Sequence, residues 1–166
     1  MEVIHGSPMR QALDRLARRA PADDVAAVET CLSLVRAAAE VYDYFDDYFG
    51  RFGVSQGRFL LLVLLWLNED GLSPADLADQ AGVSRATVTG LLDGLQRTDL
   101  IVREANPGDR RMLNVRLTRG GTELVKKVLP EHFRRMTDLL ADLTREERRQ
   151  LAALATKIVD RASVLL

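Results

Sequence analysis

The sequence predicts a mainly α-helical chain that carries one small β-hairpin. Three observations predict this class. Apolar residues recur at 3–4 spacing over most of the chain, Ser or Thr caps followed by Pro or acidic residues mark several helix starts, and two strand-like runs flank Asn106-Pro107-Gly108-Asp109, which is turn chemistry. A length of 166 residues suits one domain or one compact unit of a symmetric oligomer. With 47% hydrophobic and 28% charged residues, the chain can bury a core. Its 23 Lys and Arg against 24 Asp and Glu leave a net charge of −1, so any attraction to nucleic acid must be local. The longest apolar run, Phe59 to Leu67, falls well short of the ~18 residues of a membrane span, and the start lacks the apolar segment of a secretory signal. Cys31 is the single cysteine, which forbids an internal disulfide, and with His5 and His132 it forms no metal-ligand spacing. No metal, no cofactor, no membrane association and a reducing, cytoplasmic setting are therefore expected.

The elements follow in order. Residues 1–21 form an Arg-bearing prelude in which Ser7 and Pro8 suit a helix start and Pro21 closes it. From Asp23 to about Gly50, two adjacent seams, Val25-Val28-Leu32-Val35 and Cys31-Leu34-Ala38-Val41, give an apolar band wider than a one-sided surface helix requires. Such a helix contacts two bodies, one of them a partner subunit. Ser55 caps a nearly continuous apolar helix to Trp66 or Leu67, the predicted centre of the fold. Ser73-Pro74-Ala75-Asp76 starts a short helix to Gln80 with a capping box. Gly82 is free to take positive φ, and Ser84 caps the next helix, which runs to about Thr98. Ile101 to Ala105 and Met112 to Thr118 form the hairpin. Thr118 caps a helix to about Leu143, and Thr144-Arg145-Glu146-Glu147 opens the last, with Leu151, Leu154, Ile158 and Leu165 on one face.

Ala78, Gly82 and Val88 carry the functional signal. In a helix-turn-helix, a small residue sits where the helices cross, a glycine turns, and an apolar residue anchors the second helix. On that second helix Ala86, Val88, Leu91, Leu92 and Leu95 are expected inside, leaving Ser84, Arg85, Thr87, Thr89 and Gly90 outside, short side chains that suit a DNA major groove. The hairpin behind it carries Arg103, Arg110, Arg111, Arg116 and Arg119. Residues 84–119 hold seven arginines against four acids, whereas residues 22–50 hold seven acids against Arg36 alone. The neutral total thus hides a segregated charge that fits a local phosphate-binding face.

These residues carry a resemblance. Leu77, Ala78, Gly82, Val83 and Ser84, the run SRATVTGLLDGLQRTDLIVRE, and NPGDRRMLNVRLT with Arg119, Gly120 and Gly121 resemble the MarR family of winged helix-turn-helix regulators. The resemblance covers roughly residues 22–166. It implies a homodimer with residues 22–52 and 119–166 as a helical dimerisation region, 53–118 as the winged lobe and 1–21 as an N-terminal extension. It also implies that Ser84 to Gly90 enter the major groove, that Arg111 is the wing's minor-groove arginine, oriented by Asp109, and that Arg110 lies near phosphate. Relatives often carry Arg where this chain has Gly90 and Gly94, which removes possible phosphate contacts and costs roughly 1 kcal/mol each in helix propensity against Ala. Asp99 replaces a common turn glycine.

The expected function is a sequence-specific repressor of a pseudo-palindromic DNA operator, released by a small aromatic or organic-acid effector. Eight of the nine aromatics lie between residues 42 and 66, and Tyr44, Tyr48, Arg58 and Trp66 are the candidate effector contacts, with His132 a further approach. Two alternatives stand beside this. One is a thiol-based redox sensor using Cys31, although the resemblance places Phe45 and Gln56 where an activating tyrosine pair would sit, so an inert, buried thiol is expected. The other is a winged-helix interaction module without DNA binding, favoured by the two recognition-helix glycines. An enzyme is not expected, since neither a Walker loop nor a His-Glu-x-x-His motif occurs.

Overall fold

The computed structural model describes residue 15, residues 21–105 and residues 113–165. Asp109, Arg110, Arg111, the wing tip and nearly all of the N-terminal extension lie outside the described residues. The chain divides into two compact units, Met1–Gln56 and Gly57–Leu166.

The first unit is dominated by α1 (Ala22–Gly50), whose N-terminus is entered by Asp23 and Asp24, acids that favour the positive end of the helix dipole. Its packing is confined to the last turns, where Phe45, Tyr48 and Phe49 are buried. Tyr48 sets its ring at 5.2 Å from Phe49 and edge-on to Phe52 at 5.4 Å. The helix closes with the Phe52 N–H donating to the Phe49 carbonyl, after which Gly53 adopts φ 74°. Asp46, which interrupts the apolar seam, has a task of its own. Its Oδ1 accepts from the Gln56 N–H at 3.3 Å and so satisfies a donor that the start of the next helix would leave unmatched.

The helix α2 (Gln56–Leu67) begins on the last residue of the first unit and in the second buries Phe59, Leu61, Leu62 and Leu65. After it α3 (Pro74–Ala81), which buries Leu77 and Ala78, packs against α4 (Arg85–Arg97) and the hairpin, and α4, which buries Val88, Leu92 and Leu95, lies beside α2. The capping box at Ser73 is formed as the sequence predicts: Ser73 Oγ accepts from the Asp76 N–H at 3.1 Å, and an Asp76 carboxylate oxygen accepts from Ser73. The hairpin pairs β1 (Ile101–Ala105) with β2 (Leu113–Leu117) antiparallel, in register from Ile101 opposite Leu117 to Ala105 opposite Leu113. Leu72 adds a bridge on the far side of β2, exchanging hydrogen bonds with Val115 at 3.0 and 2.8 Å.

The helices α5 (Arg119–Leu139) and α6 (Arg145–Leu165) complete the chain. Thr118 caps α5, its Oγ1 accepting from the Gly121 N–H at 3.1 Å while donating to the Asp99 carbonyl at 2.7 Å. Asp99 takes φ 55°, the left-handed geometry expected of it. Pro130 sits inside α5 and leaves the Lys126 carbonyl without its intrahelical donor. The helix stops at Leu139, short of the expected Leu143, because the chain tightens into three-residue turns before Thr144 can cap α6. α6 buries nothing among the described residues: Leu151, Leu154, Ile158 and Leu165 are all exposed.

Two glycines should respond oppositely to alanine. Gly71 has φ 85°, and a Cβ there would lie 2.6 Å from the Val115 carbonyl oxygen, a backbone atom fixed by the Leu72 bridge. Gly71→Ala is expected to cost about 2–4 kcal/mol. At Gly90 a Cβ meets nothing within 4 Å, so Gly90→Ala should stabilise by about 0.5–1 kcal/mol. Urea unfolding midpoints check both; a shift of the same sign in the two variants would refute the assignment.

Candidate nucleic-acid interface

The candidate surface is built by α3, its turn and α4. Gly82 closes α3 with φ 66° and donates to the carbonyls of Ala78 and Asp79, and the Val83 N–H returns to Ala78 at 3.1 Å. That left-handed step turns the chain so that Ser84 can begin α4. Ser84 Oγ accepts from the Thr87 N–H at 3.1 Å and pairs with Thr87 Oγ1 at 2.8 Å. Thr89 Oγ1 donates to the Arg85 carbonyl at 2.9 Å. Ser84, Arg85, Thr87, Thr89 and Gly90 are all exposed, while Val88, Leu92 and Leu95 hold the opposite side in the core. Ala86, expected inside, is exposed instead. Helical phase explains it: the side facing the core is set by positions 88, 92 and 95, and residue 86 falls behind them.

The hairpin arginines are less available than their number suggests. Arg103 forms an ion pair with Asp93 of α4 at 2.6 Å. Arg116 donates to the Glu69 carbonyl at 2.9 Å, and Arg119 pairs with Glu123 at 2.9 Å. Asp93 is already among the acids counted in residues 84–119 and the Glu69 carbonyl carries no formal charge, so Glu123 alone takes from the excess counted there, while the other two ties fix where Arg103 and Arg116 point. Arg85 makes no ion pair among the described residues. Asn114 is a buried polar side chain in the hairpin, and its amide donates to the Asp70 carbonyl at 2.7 Å. These ties between hairpin and loop span more than forty residues, and local spacing carries no sign of them.

The candidate effector contacts fall in different places. In the first unit Tyr44 is exposed, with its ring edge-on to Phe45 at 5.1 Å, and Tyr48 is buried. Arg58 and Trp66 share α2 in the second unit. The Arg58 guanidinium lies against Gly94 of α4, so that a Cβ at position 94 would come within 2.6 Å of Nε. Trp66, 36% exposed, lines an open cleft of about 630 Å³ together with Leu67, Glu69, Arg116, Thr122 and Lys126. Arg58 does not line it. Cys31 is exposed, not buried as expected, because the burial of α1 is restricted to its C-terminal turns. Among the described residues no group of three or more His, Cys, Asp or Glu could hold a metal ion, and no helix is long and apolar enough to cross a membrane.

Comparison with known proteins decides the lineage. The model of the MarR family matches residues 60–112. The HTH-type transcriptional repressor YetL of Bacillus subtilis (strain 168) is 32% identical over 142 residues, covering 85% of either chain. The chain belongs to the MarR family. The transcriptional repressor MprA of Escherichia coli (strain K12) is 30% identical over 110 residues, 66% of this chain and 62% of that protein. Among solved structures, the S. aureus MepR–DNA complex is similar with a TM-score of 0.71 and 26% identity, covering 79% of this chain and 96% of that one. The mainly helical, winged helix-turn-helix architecture is thus that of a MarR-family transcriptional regulator.

His132 supplies a titration handle within this family fold. Its ring lies edge-on to Phe59 at 6.2 Å and stacked with Phe133 at 6.3 Å, and burial lowers its pKa below the ordinary 6.5. Burial penalises the imidazolium, so the unfolded chain binds the proton more readily. The stability contributed by a neutral His132 is therefore complete above about pH 6.5 and is lost as pH falls through the lowered value. Subtracting the unfolding free energy of His132→Gln from that of wild type should give a difference that shrinks with acidification. A difference independent of pH would contradict the burial argument.

Proposed function

We propose that this MarR-family chain is a sequence-specific DNA-binding repressor that acts as a homodimer on a pseudo-palindromic operator and is released by a small aromatic or organic-acid effector. The observation that carries the reading is the capped, exposed N-terminus of α4. It offers Arg85, Thr87, Thr89 and the open backbone at Gly90 on one rigid element whose other side is anchored in the core. The similar proteins YetL and MprA are transcriptional repressors, which supports repression, and the MepR neighbour is itself in complex with DNA. Arg110 and Arg111, with Asp109 orienting Arg111, remain the proposed wing contacts to phosphate and minor groove.

The exposed apolar residues of α1 and α6 support dimerisation. Val28, Leu34, Val35 and Val41 on one helix and Leu151, Leu154, Ile158 and Val159 on the other are too many to leave in water on a stable monomer. Residues 22–52 and 119–166 are thus proposed as the dimerisation region and 53–118 as the DNA-reading lobe.

For the effector, the Trp66 cleft supplies an aromatic face, the Thr122 hydroxyl and the cations Arg116 and Lys126, which outnumber its one acid, Glu69, a set suited to an aromatic carboxylate. Its volume of about 630 Å³ lies in the ligand-pocket range. Trp66 is the only tryptophan in the sequence, so its fluorescence reports on the cleft directly. Titration with benzoate should quench that emission and lower duplex affinity in parallel; quenching without release would separate the cleft from regulation.

The DNA reading is tested by anisotropy with labelled duplexes at two salt concentrations. Affinity should fall as salt rises, with a log–log slope of about −0.9 per phosphate neutralised. Arg111→Ala should weaken all duplexes alike, whereas Arg85→Ala should chiefly alter which operator is preferred. A salt-independent affinity would return the fold to the class of protein-interaction modules.

A further inference from the structure

We propose that Arg58 is a positioning residue that sets the recognition helix α4 from α2, and that Gly94 is the seat it requires. The inference rests on the proposed DNA reading and extends it to residues that touch no DNA. Two contacts between α2 and α4 carry it. Gly57 of α2 faces Leu91, whose methyl carbons lie 3.5 and 3.6 Å from where a Cβ at 57 would stand. One residue on, the Arg58 guanidinium lies over Gly94, and a Cβ there would overlap its Nη2, Cζ and Nε. Each helix thus places a glycine where the other brings a side chain. Gly94 is buried although it has no side chain, because the Arg58 plane covers it.

The seat is oriented toward the reading surface. Thr87 precedes Gly94 by seven residues, about two turns, and so shares its side of α4. Thr87 is also the residue whose N–H and hydroxyl both engage the Ser84 cap. A planar guanidinium lying along this side fixes the rotation of α4 about its long axis, while Val88, Leu92 and Leu95 fix its depth. The sequence points to the opposite role for each partner: Arg58 as a contact for an effector carboxylate, Gly94 as a lost phosphate contact. The geometry joins them as one contact inside the second unit.

The atom that a Cβ at 94 would meet is the far end of a flexible side chain, so Gly94→Ala displaces Arg58 rather than breaking the fold. This makes the two positions separable from mere stability. Duplexes recovered by selecting bound fragments of the protein's own genome serve as probes in anisotropy measurements, with thermal midpoints recorded for each variant.

Gly94→Ala is expected to weaken binding to the selected duplex about tenfold, the size of one misplaced base contact, without lowering the thermal midpoint, since Ala favours helix over Gly. Arg58→Ala should weaken it similarly. In the Arg58→Ala background, Gly94→Ala should add no further loss, because the displaced group is already gone. Additive losses, or losses that track the thermal midpoint, overturn the proposal. Should Arg58→Ala not fold, Gly94→Ala alone decides, and unchanged affinity overturns it. If the wild type binds no duplex at any salt, the DNA reading falls and this role with it; if it binds and both variants match it, only the role of Arg58 falls.

Discussion

Everything α4 presents depends on one backbone constraint, the left-handed step at Gly82. With φ 66° the residue ends α3 by donating to two of its carbonyls, and the next residue returns to Ala78. Ala78 is buried at the crossing, where a larger side chain would push the helices apart. Once the chain has turned there, Ser84 is in extended geometry and can cap α4 through Thr87, which leaves the first turn of that helix ordered and exposed. Val88, Leu92 and Leu95 then have only one way to face. The core of α2, the hairpin residues Ile101 and Val115, and the α5 residues Val125 and Val128 close around that arrangement.

The elements of the fold were legible where the signal is local. The Ser73 and Thr144 capping boxes, the Ser84 and Thr118 caps, the positive φ of Gly82 and Asp99 and the two strand runs of the hairpin all depend on residues within a few positions of one another. What the residues could not disclose is contact at long range. Gly71, Gly90 and Gly94 look alike in a string of letters, yet one is forced by a carbonyl of β2, one stands in open space and one is covered by Arg58. Asp93 and Arg103 cancel each other across a helix and a strand. The aromatic cluster likewise divides by burial: Tyr48 serves packing, Tyr44 stays exposed and Trp66 lines a cleft.

Charge illustrates how far a count along the chain departs from a field in space. The arginines following α4 suggest a broad basic face, but Arg103 and Arg119 are held by carboxylates and Arg116 is tied to a loop carbonyl. An ion pair at a surface contributes little to stability, on the order of 0–1 kcal/mol, so these pairs matter less for holding the fold than for removing charge from the outer face. Fewer free cations mean a weaker sequence-blind attraction to any duplex. Discrimination then falls on the few groups at the N-terminus of α4, and the rotational setting of that helix gains importance as the general phosphate attraction declines.

The helices outside the lobe follow a different economy. α1 carries seven acids against one arginine, whereas α6 carries five cations against three acids, and both leave long apolar stripes uncovered. Apolar stripes supply affinity without direction, and charge of opposite sign on two such helices supplies direction with little affinity. In the proposed dimer the combination would favour unlike helices meeting across the symmetry axis over α1 against its own copy, because two acidic helices brought together would repel. The acids that interrupt the apolar band of α1 are therefore compatible with the proposed dimer, and one of them, Asp46, accepts the first N–H of α2.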